Sequence, residues 1–449
     1  AQFQQNYFTF GIQTFNEDGE PIKDIFSFDG STSLNTVIAE INRSDIGVNM
    51  FYDSFTDQLT LTRSKTGDFN KDGNEIINMK NHNLHVLNYS VPVNKKMSLE
   101  ELKPFIHTIP HLPDAIPYVT SYYKERWGFC MSYNQFKSLK EGTYHAFIDS
   151  ELKDGELNYA HAILPGQSSK EILISTYICH PSMANNELSG PIVAAFLYNR
   201  MKEYRDRKFT YRFVFVPETI GSIAYLHRFG EHLRKNVYSG FVLTCLGGKN
   251  YPLSFKRSRN KKAPINKIVD YLISTGEMEL IVRPFTPTHG SDERQYCSPG
   301  FNLPVGQFAR MVYGQYKGYH NSLDTKEVMT IEKLIDSVNE IEKILKIQEW
   351  DGYYINTNPF GEVKLDKHSL YPDINTPLNG NASNNQKIDN RKQLNAILTM
   401  LNYSDGEHSL LDIAQLSGIH LDNLMNAIKL LKEKGLLKGP YYEKRSLFE

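Results

Sequence analysis

Ile172-Leu-Ile-Ser-Thr-Tyr-Ile-Cys-His-Pro-Ser-Met-Ala-Asn-Asn-Glu-Leu-Ser-Gly190 is the stretch on which the reading of this chain turns. It opens as a short apolar run, the pattern of a strand buried on both faces, and passes through a polar loop into a helix predicted over 191–204. His180 stands just past the strand, and Asn186 precedes the Ser189-Gly190 helix entry. α/β proteins bind ligands at the C-terminal ends of their strands, beside helix N-termini, and imidazole is a common metal donor. Alone, His180 reads as a structural histidine, and Asn185, Asn186 and Ser189 as helix caps.

Three later segments repeat the logic. Phe213-Val-Phe-Val-Pro-Glu-Thr-Ile-Gly-Ser222 places Glu218 beyond a second apolar strand, where a carboxylate can hold a metal or take a proton from water. Thr288-His-Gly-Ser-Asp292 sets an acid in a polar loop ahead of the strand predicted at 305–309. Tyr319-His-Asn-Ser-Leu-Asp-Thr325 supplies His320, with Asp324 read as the N-cap of the following helix. Four strands (172–178, 211–216, 240–246 and 305–309) alternate with helices at 191–204, 223–229, 265–272 and 331–348, which predicts an α/β sheet flanked by helices.

Working outward, residues 1–77 read as a small α+β segment. Strands at 9–12 and 25–28, a helix behind Ser31 or Ser33, and a hairpin of 48–52 with 59–63 compose it. Residues 78–166 read as a small β-rich inserted domain, with His82–Val93 and Ala160–Leu164 among its strands and a Tyr/Trp cluster at 122–127 read as core or domain contact. Residues 167–370 form the α/β domain and 371–390 a linker. Residues 391–449, helix–turn–helix followed by a short hairpin, read as a winged helix. The face of its last helix that would meet DNA does not form a basic stripe: Asp422, Asn423, Asn426, Lys429, Lys432 and Glu433 mix signs, which disfavours DNA and favours a protein contact.

The 449 residues carry a net charge of −1, giving no electrostatic case for nucleic acid or an anionic membrane. No apolar run reaches the length of a membrane span. Ala1–Gln5 lacks signal-peptide character, and Cys130, Cys179, Cys245 and Cys297 are widely spaced; both lead to the expectation of a cytoplasmic protein with reduced thiols.

In their order, these motifs resemble the zinc aminopeptidase superfamily that includes glutaminyl cyclases. Asn83–Pro92, Tyr122–Cys130, Tyr177–Ser182, Pro217–Ser222 and Tyr319–Thr325 resemble, more closely, a bacterial aminopeptidase-like family with an inserted β domain, a C-terminal winged helix and a setting among polysaccharide-biosynthesis proteins. Phe28-Asp-Gly-Ser-Thr-Ser-Leu-Asn, Gly47–Asp53 and Leu61–Asn70 resemble the variable region of flagellar filament-cap (hook-associated) proteins. The first resemblance implies a zinc-dependent hydrolase of an amide or N-acyl bond in a small peptide or amino-sugar derivative. His180, Glu218 and His320 would hold the metal, with Asn186 as a weak further contact and Asp292 as proton shuttle. Asn186 stands where a bridging aspartate is expected, Pro217 replaces one of two paired glutamates, and Thr244 falls where another metal aspartate is expected, so the implied count is one zinc ion. The same departures motivate a rival, a metal-binding pseudoenzyme acting as a scaffold. A DNA-binding regulator and a filament-associated role are further alternatives. The N-terminal segment stands where the related family starts its own first strands, which leads to the expectation of an exposed sheet edge.

Overall fold

The computed structural model describes residues 7–15, 21–53, 58–63, 75–249, 251–312, 314–371 and 384–447. The chain forms two compact units. One comprises Ala1–Glu156, His180–Asn186 and Tyr313–Val328, the other Leu157–Cys179, Glu187–Val312 and Met329–Glu449.

In the first unit, β1 (Tyr7–Phe15) and β2 (Pro21–Asp29) form an antiparallel pair, followed by α1 (Leu34–Arg43). Ser33, one of the two candidate caps, accepts from the Thr36 N–H. Val37 and Ile41 of α1 pack with Phe26, Phe28, Ile46 and Val48 in a small apolar core. The expected hairpin is present as β3 (Val48–Asp53) and β4 (Gln58–Arg63); the turn between them and residues 64–70 lie outside the described residues. Then come β5 (Val93–Ser98), α2 (Leu99–Leu102), β6 (Ile106–His107), β7 (Phe129–Cys130), α3 (Tyr133–Ser138) and β8 (Thr143–Ile148), with β5 paired to β8 and β6 to β7. The strand expected over 82–93 is corrected. Residues Asn83–His85 form a 3-10 turn capped by the His82 side chain, and Tyr89 at φ +63° breaks any extended run before Val93.

The second unit is built on seven strands. They are β9 (Ala160–Leu164), β10 (Glu171–Tyr177), β11 (Thr210–Val216), β12 (Val237–Leu243), β13 (Leu253–Lys256), β14 (Leu280–Arg283) and β15 (Val305–Ala309). They lie in the order β14-β13-β15-β12-β10-β11-β9. β9, assigned from sequence to the β-rich insertion, is instead an edge strand antiparallel to β11, a pairing that a five-residue run cannot reveal on its own. The central strands are parallel, β10 with both β11 and β12, and β12 with β15; every residue of β10 and β15 is buried. That burial explains their continuous apolar reading. Helices α4 (Ser189–Glu203), α5 (Ile220–Asn236), α6 (Pro264–Ser274), α7 (Glu293–Tyr296) and α8 (Ile331–Trp350) complete the α/β part. None of the described helices is long and apolar enough to cross a membrane.

After α8 come β16 (Tyr353–Asn356), α9 (Asn384–Tyr403), β17 (Asp405–Ser409), α10 (Leu410–Ser417), α11 (Leu421–Glu433) and β18 (Leu437–Tyr441). β16 is the middle strand of the β17-β16-β18 sheet, which places one strand of that sheet ahead of the start expected at 391. Residues 372–383, most of the expected linker, lie outside the described residues. Leu410, Leu411, Ile413, Leu424, Ile428 and Leu431 belong to the same apolar core as the strand residues Ile172, Ile174, Phe241 and Phe308.

Candidate functional site

The first unit holds His180, Asn186 and His320; the second holds Glu218 and Asp292. In the first, the chain turns after His180 through Ser182 at φ +57° and a wide π-type turn over Ala184–Leu188, a geometry concentrated at functional sites. His180 is buried, and the Asn186 side-chain amide lies 3.3 Å from its Nδ1. The His320 ring lies 4.8 Å, centroid to centroid, from His180 and stacks on Tyr319 at 4.0 Å. Tyr118 meets both imidazoles edge-on, at 5.1 and 5.6 Å, and its N–H donates to the His320 carbonyl. His320 Nε2 is buried with no protein hydrogen-bond partner among the described residues. Burial, reinforced by the neighbouring His180, pushes the His320 pKa down to about 4, so its ring is neutral and keeps a lone pair.

Asp324 has a different task from the cap read off the sequence. Its two carboxylate oxygens accept from the Asn185 and Asn186 N–H groups, each at 2.9 Å, and Tyr316 donates to it at 3.2 Å. Thr330 is the residue that caps α8. Two backbone N–H groups aimed at one buried carboxylate outcompete a distant helix start, so Asp324 fastens the His180–Asn186 loop to the segment carrying His320.

In the second unit, β10 leads to Cys179, whose N–H donates to Glu187 at 2.7 Å, while the Glu218 N–H donates to the Cys179 sulfur at 3.2 Å. Glu218 Oε1 accepts from the Ser291 hydroxyl at 2.5 Å. Next to it Thr219, at φ +61°, occupies a conformation rare for a β-branched residue. Asp292 is fully buried; its Oδ1 accepts from the Thr219 N–H at 2.7 Å and the Ser222 hydroxyl at 2.9 Å. Its Oδ2 has no hydrogen-bond partner among the described residues. Burial, then the negative charge of Glu218, raises the Asp292 pKa to about 8 against those two hydrogen bonds. Asp292 is therefore a protonated acid at neutral pH. Thr244 gives its hydroxyl to a 2.5 Å contact with the Tyr177 hydroxyl, a neutral pair at the position where a carboxylate was expected.

The Ser189-Gly190 pair is explained by packing. Ser189 accepts from the Leu246 N–H at 2.8 Å, and a Cβ on Gly190 would stand 2.6 Å from the Leu243 carbonyl. Cys179, Glu187, Ser222, Ser291 and Tyr118 escaped the sequence reading. Ser222 and Ser291 sit in the quoted Gly-Ser and Ser-Asp motifs, which was the available signal; nothing in the sequence singles out Tyr118.

A family model described as a domain of unknown function (DUF4910) matches residues 52–351, and a winged helix-turn-helix model matches 352–439. The chain belongs to the DUF4910 family. This DUF4910 chain is 42% identical over 372 residues to a Clostridium acetobutylicum protein named for polysaccharide biosynthesis with an aminopeptidase-like domain, covering 82% of each chain. A crystal structure of a Clostridium acetobutylicum protein described as a peptidase superposes with a TM-score of 0.72 at 35% identity, covering 96% of this chain and 88% of that one. The fold is thus the aminopeptidase-like mixed α/β fold with a C-terminal winged helix. A flagellar hook-associated protein 2 of Halalkalibacterium halodurans is 39% identical over 62 residues, 14% of this chain and 12% of that protein.

Proposed function

We propose that the chain is a zinc-dependent, aminopeptidase-like hydrolase of an amide or N-acyl bond, acting on a small peptide or amino-sugar derivative, and that it serves polysaccharide biosynthesis. The observation that carries the reading is the His180–His320 pair, 4.8 Å apart centroid to centroid, with a neutral His320 whose buried Nε2 has no protein partner among the described residues. Two imidazoles so arranged suit a zinc ion. His180 and His320 would hold one such ion, with Glu218 as the carboxylate ligand and Asn186 as a weak further contact; the motif order assigns Glu218. Zinc, when bound, polarises the scissile carbonyl and makes water a better nucleophile. Asp324 keeps the histidine loop in place. Asp292, protonated below about pH 8, is the group able to pass a proton through Oδ2 to the leaving nitrogen.

The test is metal content and turnover of the full chain after zinc loading and dialysis, beside His320→Ala. About one zinc per chain is expected, falling well below stoichiometric in the variant, with hydrolysis of aminoacyl amides or N-acyl amino sugars by the parent alone. Parent protein that retains no zinc removes the proposal. The neutral Tyr177–Thr244 pair and Asn186 support a second reading, a metal-binding scaffold without turnover; stoichiometric zinc with no hydrolysis across both substrate classes selects it. The winged helix fits a protein contact better than DNA. His420, at the start of α11, lies 3.3 Å from Glu277, and Leu421 hydrogen-bonds Tyr271 through its backbone. Such domains read bases with that end of the helix.

A further inference from the structure

The segment between Pro117 and Trp127 divides its aromatic side chains between two environments. Trp127 is half-buried and stacks on Phe105 at 4.0 Å. The tyrosines do not follow it. Tyr122 is 53% exposed, Tyr123 94%, and Tyr89 from a neighbouring loop 56%. Single exposed aromatics are ordinary; three in contact form a surface that needs a reason. Tyr89 and Tyr122 meet at 5.3 Å, and Tyr122 and Tyr123 at 6.3 Å.

The platform is braced. The Asn88 N–H donates to Val119, the Val91 N–H to the Arg126 carbonyl, and the Arg126 guanidinium to Thr120 and Ser121. Tyr89 is held at φ +63°, a costly conformation for a bulky residue. The platform also connects to the histidines within the same unit. The Tyr122 and Tyr118 hydroxyls are 3.3 Å apart, Asn88 donates to the Tyr118 hydroxyl at 3.4 Å, and the Tyr118 ring touches both imidazoles. What the three tyrosines offer a ligand is ring faces and phenol hydroxyls, with the guanidinium of Arg126 turned onto the loop itself. That combination matches an uncharged ring with an apolar C–H face and a rim of hydroxyls.

We infer that Tyr89, Tyr122 and Tyr123 form a sugar subsite that seats a pyranose ring of the substrate beside the His180–His320 pair. The inference rests on the hydrolase reading and narrows its substrate from peptide to amino-sugar derivative. It is tested by saturation-transfer NMR on the full chain, with and without added zinc, using N-acetylglucosamine, its β-1,4-linked dimer and phenylalanine amide as probes. Ring protons of the sugars should receive saturation, and Tyr123→Ala and Tyr89→Ala should each weaken the dimer's affinity about 3- to 10-fold, the range of one lost aromatic contact. Tyr123 is almost wholly in solvent, so its replacement leaves the fold intact. No transfer to either sugar overturns the subsite, as does dimer affinity equal in parent and both variants. Tyrosine-dependent binding of phenylalanine amide alone overturns it in favour of a peptide. Because binding is read without turnover, sugar binding that persists without zinc upholds the subsite even if hydrolysis fails. Zinc-dependent turnover of aminoacyl amides without sugar binding removes the subsite only.

Discussion

His320 and Thr219 both sit at positive φ, a conformation that costs a non-glycine residue about 1–3 kcal/mol. At His320 the surroundings impose it: residues 116–118 pair with 320–322, and the Ser322 hydroxyl also accepts from the Ile116 N–H. At Thr219 the same strain aims a backbone N–H at Asp292. Asp292 is the residue on which the proposed chemistry is most exposed to test. Asp292→Asn keeps an oxygen for Thr219 and Ser222 but removes the acidic proton. Turnover of the zinc-loaded variant should fall about 10²- to 10⁴-fold, the usual contribution of a positioned acid, with metal content unchanged. Unaltered turnover would sink the assignment.

Among the elements, β10 and β11 run parallel with Glu171 opposite Thr210, and their N-terminal ends are tied by a buried charge network. Glu171 accepts from Arg212 at 2.7 and 2.9 Å and pairs with His232 at 2.8 Å. Burial alone would raise the Glu171 pKa, but the Arg212 and His232 hydrogen bonds outweigh it and hold the carboxyl below its ordinary value. A carboxyl depressed in the folded state stabilises above its unfolded pKa of about 4.5, and that stability disappears as pH falls through the folded value. Glu171→Gln leaves the Arg212 guanidinium buried without its counter-charge, a loss of about 3–5 kcal/mol at pH 7. Urea midpoints should show that gap narrowing as pH drops below about 4.5; a gap that stays constant as the pH is carried on down to about 3 contradicts the account.

At the scale of the whole molecule, the winged helix shares one apolar core with the seven-stranded sheet, and polar contacts add to it. Lys267 of α6 pairs with Asp412 of α10 at 2.7 Å, and Lys208 donates to the Asp351 carbonyl at 2.6 Å. A recognition helix whose first turn meets Glu277 and Tyr271 should not read DNA. Fluorescence anisotropy with a mixed-sequence duplex should show no binding whose affinity falls steeply with salt; a slope reflecting several phosphate contacts would restore the regulator reading. Much of this architecture was legible in the sequence. Apolar periodicity located β10, β11, β12 and β15 and their helices because strands buried on both faces leave a continuous apolar run, and the order of His180, Glu218, Asp292 and His320 pointed to one family. Tertiary structure decided the rest. β9 and β16 are too short to announce their partners, Asp324 chose two loop N–H groups over a helix cap, and exposure, which a string of tyrosines does not encode, separated Tyr122 and Tyr123 from the half-buried Trp127. The physical reason is common to all of them: hydrophobic periodicity is local, whereas a buried carboxylate, an edge strand or an exposed ring is defined by neighbours brought from far along the chain.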